Sequence, residues 1–113
     1  MIRGDGPTVE FLDDLAAQEL PACSAITIYE VEVGMRPEEE IRTRALLSRL
    51  EVLPLTAVLA QRAAAEARAA RARGRTLSSA DALIAATALV HNLILVTADK
   101  SGFPMPGLRK ITL

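Results

Sequence analysis

The stretch SSADALIAATALVHNLILVT, residues 78–97, decides the fold class of this chain. It opens with Ser78-Ser79-Ala80-Asp81, a capping-box pattern that begins an apolar helix, and Asn92 can adopt the left-handed conformation that ends one. The run LILVT (93–97) is apolar throughout, which is typical of a parallel strand covered on both faces. A helix that leads into such a strand predicts an α/β fold.

Helices and strands alternate over the rest of the chain. The predicted strands are 22–27, 52–55, 93–97 and 109–113. Five helices are predicted. They are 7–20, a helix opened by the capping-box pattern Thr27-Ile28-Tyr29-Glu30, a helix after Pro37 that carries Ile41, Ala45 and Leu50, the helix 56–73, and the helix that starts near Ser78. Pro54 favours an edge position for the second strand, and Gly74 closes the Ala-rich helix. No repeat or linker interrupts this pattern, so we predict one domain over residues 1–113, an open parallel sheet flanked by helices.

The composition restricts the kind of site. Of 113 residues, 50% are hydrophobic and only 3% are aromatic, which argues against an aromatic platform for stacked bases. Because the sequence has one cysteine, Cys23, and one histidine, His91, we expect no intramolecular disulfide and no zinc or haem site, and any bound metal would be a hard cation held by oxygen. Since no apolar run is long enough to span a membrane and no signal peptide is evident, we expect a cytoplasmic protein without a membrane partner.

Charge is divided unevenly along the chain. Residues 1–51 carry 5 basic and 11 acidic side chains, and residues 52–113 carry 8 basic and 3 acidic ones. Such a division can serve a polyanionic partner on one face, and the simpler explanation is two solvated surfaces of opposite sign.

Three acids occupy the positions where ligands bind in open parallel sheets, beyond the carboxyl ends of the strands. Glu30 follows the 22–27 strand, Asp81 lies in the first turn of its helix, and Asp99 lies two residues beyond Thr97. If these carboxylates converge, their repulsion requires a cation such as Mg²⁺ or Mn²⁺, which would suit phosphoryl chemistry. The alternative is structural: Glu30 and Asp81 each end a capping-box pattern, and Asp99 suits a turn.

Five arginines fall between residues 62 and 75, and Arg73 and Arg75 lie just before Asp81. Arginine binds phosphate through paired hydrogen bonds, so these side chains are candidate RNA contacts. The alternative is a solvated face of the Ala-rich helix.

Two segments, SAITIYEVEVG (24–34) and GRTLSSADALIAATALVHNLILVTADKSGFPMPGLRKITL (74–113), resemble the PIN-domain ribonucleases of the VapC toxin family. The shared pattern is a strand followed by S-x-I-T-x-x-E, a helix that opens around S-x-x-D-A-L-I-A-A-T-A, and a strand ending L-V-T-x-D. The resemblance implies a PIN-like three-layer fold, Mg²⁺-dependent endonucleolytic cleavage of RNA, an antitoxin partner and a homodimer. It also implies the toxin role in a type II toxin–antitoxin system.

Position by position, the resemblance implies that Glu30, Asp81 and Asp99 are metal-binding acids and that Thr97 supplies the active-site hydroxyl. Gly102 stands where some relatives carry a further acid. The family's first strand, which is central in its sheet and ends in an Asp followed by Thr or Ser, has no counterpart here. Asp5 does not replace that residue, because the segment before it is too short for a strand.

Two explanations account for the missing strand: a start codon that lies upstream, or a degenerate copy of the domain. The first is compatible with a nuclease, and the second with an inactive PIN domain that only binds an antitoxin or self-associates. A sheet that lacks this central strand should expose unpaired backbone groups and invite pairing with another chain. A receiver-like phosphoacceptor domain is disfavoured because Lys100 and Lys110 are poorly placed for it.

Overall fold

The computed structural model describes residues 22–97 and 103–112. Its elements in chain order are β1 (Ala22–Ser24), α1 (Ala25–Gly34), a 3-10 turn (Pro37–Glu39), α2 (Glu40–Leu47), β2 (Glu51–Leu53), α3 (Ala57–Ala72), α4 (Ser79–Val90), β3 (Leu95–Thr97) and β4 (Lys110–Thr112). The helix predicted at 7–20, and the residues Asp5 and Asp99, lie outside the described residues. The predicted alternation of helices and strands is confirmed.

The strands form parallel pairs. β1 pairs with β2, placing Ser24 opposite Leu53, and β3 pairs with β4, placing Thr97 opposite Thr112. Within the described residues no hydrogen-bonded ladder joins β1 directly to β3. The two pairs nevertheless share a core, because Val96 of β3 packs against a buried cluster that contains Cys23 of β1.

The boundary between β1 and α1 differs from the prediction. β1 ends at Ser24, whose side-chain Oγ accepts a hydrogen bond from the backbone N–H of Ile26 at 3.2 Å and caps α1. Thr27 therefore lies inside α1, fully buried, and the capping box predicted at residues 27–30 is wrong. The β-branched residues of this segment favour a strand by propensity, but burial of one helical face overrides that preference.

The helix predicted after Pro37 begins as a 3-10 turn, in which the N–H of Arg36 donates to Glu39 Oε1 at 3.0 Å. The buried side of α2 consists of Thr43, Leu46 and Leu47. Of the apolar residues predicted for this helix, Ile41 is 88% exposed, Ala45 is exposed, and Leu50 is buried but lies beyond the helix end. α2 thus packs through a different face from the one that its apolar residues suggest.

Helix α4 forms the centre of the core. Its fully buried residues Ile84, Ala85 and Ala88 pack with Leu95 of β3. Its other side packs on α3 through Ala82 and Ala86. Small side chains on both helices allow this close approach, and the core is built from aliphatic residues, as the composition requires.

The two predicted helix ends are confirmed. Gly74 follows α3 with φ +79°, and the N–H of Arg75 donates to the carbonyl of Ala70 at 2.9 Å. Asn92 follows α4 with φ 54°, and the N–H of Leu93 donates to the carbonyl of Ala88 at 2.8 Å. Both ends are Schellman motifs, in which a left-handed residue lets the chain satisfy the last helical carbonyls.

We expect Gly74→Ala to lower the free energy of unfolding by about 1 kcal/mol, because an added Cβ disfavours the left-handed backbone. No atom lies within 4 Å of that Cβ position, so the cost comes from the backbone alone. Urea unfolding of purified protein measures the change. Gly34→Ala is the matched control: Gly34 ends α1 without a positive φ, and alanine there should raise stability by up to about 1 kcal/mol. Equal effects of both substitutions would contradict this explanation.

Candidate active site

Asp81 is the third residue of α4. The side-chain Oγ of Ser78 accepts a hydrogen bond from the backbone N–H of Asp81 at 3.1 Å and caps the helix. The capping role predicted for Ser78 is confirmed. The Asp81 carboxylate lies half-buried at the positive end of the helix dipole, where a negative charge is favoured.

Glu30 is the sixth residue of α1 and is half-buried. Because α1 begins at Ala25, Glu30 lies beyond its first turn and does not cap the helix. The structural role that the sequence suggested for Glu30, the last residue of a capping box, is therefore excluded. α1 contacts α4, and Ile26 of α1 packs against the cluster that contains Ile84 of α4. The two acids therefore lie on helices that pack against each other.

One oxygen of each carboxylate is buried without a hydrogen bond. Among the described residues these atoms are Glu30 Oε1 and Asp81 Oδ1. Both residues make other interactions, so the observation concerns these two single atoms. A buried carboxylate oxygen normally accepts a hydrogen bond or binds a cation.

Thr97 ends β3 and is fully buried. Leu95 and Val96, which precede it, pack into the two clusters that contact α4 and α1. Its hydroxyl thus lies at the carboxyl end of the strand that both acid-bearing helices cover. Asp99 lies outside the described residues, and within those residues no group of three acidic, His or Cys side chains is arranged to hold a metal ion.

Two further buried hydroxyls lie where β1 passes into α1, and neither was predicted as a site residue from the sequence. Ser24 and Thr27 are both fully buried. Thr27 lies three residues before Glu30, so the two share a face of α1. A polar residue inside a predicted buried strand was the available signal for both.

Cys23 is poorly suited to metal binding or nucleophilic chemistry, because its thiol is buried. Burial raises the pKa of its thiol to about 11, so the thiol remains protonated at neutral pH.

The arginines of α3 and of the turn after it differ in their surroundings. Arg62 Nε donates to Glu66 Oε1 at 3.0 Å. Arg73 is the C-cap of α3, and both Arg73 and Arg75 are exposed in the turn that leads to α4. They therefore lie on the connection to the helix that carries Asp81.

Three comparisons with known proteins bear on this site. The family model described as PIN domain matches residues 2–104. Ribonuclease VapC10 of Mycobacterium tuberculosis (strain CDC 1551 / Oshkosh) is 38% identical over 84 residues, which is 74% of this chain. The aligned part spans 63% of the length of that relative.

Solved structures share the fold. The VapBC2 complex from Rickettsia felis, bound to a DNA fragment from its promoter, matches with a TM-score of 0.77 and 25% identity over 92% of this chain and 83% of that one. A toxin–antitoxin complex from Klebsiella pneumoniae matches with a TM-score of 0.73 and 32% identity, over 94% and 85% of the two chains. In the described part of this chain, no helix has the length and apolar character needed to cross a membrane.

Proposed function

The chain belongs to the PIN-domain family, and from that membership we propose that it is a metal-dependent endoribonuclease of the VapC type, the toxin of a type II toxin–antitoxin pair. The observation that carries the proposal is that Glu30 and Asp81 lie on α1 and α4, two helices that pack against each other and against β3. Similarity to Ribonuclease VapC10 supports an RNA substrate. An RNA substrate in turn favours a cytoplasmic protein.

The acidic residues suit a hard divalent cation. We propose that Glu30, Asp81 and Asp99 bind Mg²⁺, with Mn²⁺ as a chemically similar substitute, because carboxylate oxygens are the preferred ligands of both ions. The buried oxygens Glu30 Oε1 and Asp81 Oδ1 are compatible with this role. Such a cation, when bound, activates water and neutralises charge on a phosphodiester.

The residues around the acids hold and orient them. The bond from the Asp81 N–H to Ser78 fixes the first turn of α4, and packing of α1 against α4 fixes the turn that carries Glu30. We propose that the fully buried Thr97 hydroxyl supports the site by hydrogen bonding to neighbouring groups rather than by contacting the RNA. A preformed arrangement of this kind reduces the reorganisation needed in the transition state.

Arg73 and Arg75 are proposed to bind the RNA backbone. We expect the double variant Arg73→Gln/Arg75→Gln to raise KM for a short RNA and to lower the dependence of log K on log salt by about 1 to 2, since about 0.7 to 0.9 counterions are released per phosphate contact. Fluorescence anisotropy at several salt concentrations measures this slope. Arg49→Gln, which removes an exposed arginine outside this turn, should leave the slope unchanged, and an unchanged slope in the double variant would exclude these contacts.

The partners follow from the same proposal. The matched structure from Klebsiella pneumoniae is a toxin–antitoxin complex, which supports a cognate antitoxin for this chain. Family resemblance also supports a homodimer. Sedimentation of the purified chain, alone and mixed with the candidate antitoxin, tests both assemblies.

Purified protein, a labelled RNA and Mg²⁺ test the activity. We expect cleavage with Mg²⁺ and none after EDTA treatment. If calorimetry finds antitoxin binding but no Mg²⁺ binding, and no RNA is cleaved, the alternative holds: an inactive PIN domain that only binds an antitoxin or self-associates.

A further inference from the structure

Helices α3 and α4 leave an open groove between them. Its volume is about 230 Å³. On the α3 side the groove is lined by four alanines, Ala60, Ala63, Ala64 and Ala67. On the α4 side its lining includes Ser79 and Leu83. Ala60 and Ala64 are exposed and Leu83 is half-buried, so apolar surface here is open to solvent.

One end of the groove is positively charged. Arg68 and Arg71 follow the groove residues Ala64 and Ala67 by one helical turn each, so they continue the same side of α3. Both are exposed, and within the described part of the chain neither makes an ion pair. Ser79 places the first turn of α4, the positive end of its dipole, beside them.

The contrast with Arg62 is informative. That arginine is paired with Glu66 on the same helix, so its charge is locally compensated. Arg71 complements the dipole at the end of α3, but Arg68 lies almost a turn earlier, where that effect is weak. The charge at the end of the groove is therefore available to a ligand.

The groove is separate from the candidate active site. Ser79 and Leu83 are four residues apart and share the groove side of α4. Asp81 is two residues from each, and residues two apart on a helix do not share a face. A ligand in the groove would thus leave the acidic residues accessible.

We propose that the groove binds a segment of a partner protein that presents short aliphatic side chains and, about one helical turn away, an aspartate or glutamate. Aliphatic groups suit the alanine-lined floor, and the carboxylate pairs with Arg68 and Arg71. Nucleic acid suits the groove less well, because a phosphate backbone gains nothing from an apolar floor. The inference stands apart from the nuclease activity and does not depend on it.

Two labelled helical peptides test the proposal on the full chain. One contains Leu, Ala and Glu, and the other has Gln in place of each Glu. We expect the Glu peptide to bind at least about tenfold more tightly at low salt. Arg68→Gln/Arg71→Gln should remove this preference, whereas Arg49→Gln should retain it.

Groove-filling variants test the apolar part. Ala64→Phe, or Ala60→Phe as a second variant, should weaken both peptides at least about tenfold by occupying the floor. Ala65→Phe is the matched control, because Ala65 is exposed and does not line the groove. Circular dichroism verifies that each variant is folded.

Several results would overturn the proposal. The first is that the Glu peptide does not bind, and the second is that it binds the Ala64→Phe and Ala65→Phe variants equally. The third is that a short oligouridylate displaces the peptide, which would assign the arginines to nucleic-acid binding. A self-associated chain that dissociates upon Ala64→Phe would assign the groove to a second copy instead.

Discussion

Replacing Asp81 with Asn is expected to lower the rate of Mg²⁺-dependent RNA cleavage at least about a hundredfold, since loss of even an outer-shell partner of a metal costs about 10-fold to 100-fold. The substitution removes the negative charge but keeps the backbone N–H that donates to Ser78. The helix cap is therefore preserved, and the effect should appear as lost activity rather than lost fold. Single-turnover cleavage of a labelled RNA measures it.

Metal affinity separates this explanation from a change in RNA binding. Calorimetry should detect weaker Mg²⁺ binding to Asp81→Asn and to Glu30→Gln. Glu38→Gln is the control, because Glu38 is an exposed acid in the 3-10 turn before α2, and it should retain both properties. Cleavage by Asp81→Asn at the rate of the unchanged protein would exclude Asp81 from the site.

Replacing Ile84 with Ala is expected to lower the free energy of unfolding by about 2 to 5 kcal/mol. Ile84 is fully buried and lies in the cluster that joins α4 to β3, so truncation leaves a cavity that its neighbours fill only partly. Small domains have a total stability of only about 5–15 kcal/mol. The variant should therefore unfold at a clearly lower denaturant concentration.

The chain offers a matched control for this substitution. Ile41→Ala makes the same chemical change on α2, but Ile41 is 88% exposed, so the loss should stay within about 0.5 kcal/mol. Comparable losses from Ile84→Ala and Ile41→Ala would show that α4 is not the centre of the core.

The sequence was sufficient for the elements whose ends carry specific local chemistry. Ser78 begins α4, and Gly74 and Asn92 end α3 and α4, through hydrogen bonds between neighbours in the chain. Apolar continuity likewise located β3, although the strand is shorter than predicted. These signals are local, so tertiary structure had little opportunity to override them.

The sequence was misleading where long-range packing decided the outcome. Ile26 and Thr27 have strand propensity, yet they lie in the first turn of α1, where packing buries Thr27 completely. Similarly, Ile41 appeared to belong to the apolar face of α2, but Thr43 and Leu46 are buried instead. Neither the face of a short helix nor the end of a three-residue strand is determined by its own residues alone.

For the candidate site, the sequence identified Glu30, Asp81 and Thr97, and the fold places their elements against one another. The predicted cap at Glu30 was wrong, and this correction strengthens the proposed functional role because no helix end requires that side chain. Ser24 and Thr27 were missed although both are polar residues inside the predicted strand 22–27, and the structure shows that both are fully buried. The functional roles of Glu30, Asp81 and Thr97, like those of Asp99, Arg73 and Arg75, remain predictions.

Because α4 is rich in buried alanine, this part of the core is more sensitive to added side-chain volume than to lost volume. Ala82, Ala85, Ala86 and Ala88 are buried at 4% exposure or less, and nearly every substitution of an alanine adds volume. The usual damage to a core, truncation, is therefore largely confined to Ile84 and its larger neighbours. Along the rest of the helix the expected damage is overpacking by a larger side chain. It would push α3 and β3 away from α4 and distort the candidate active site from its core side.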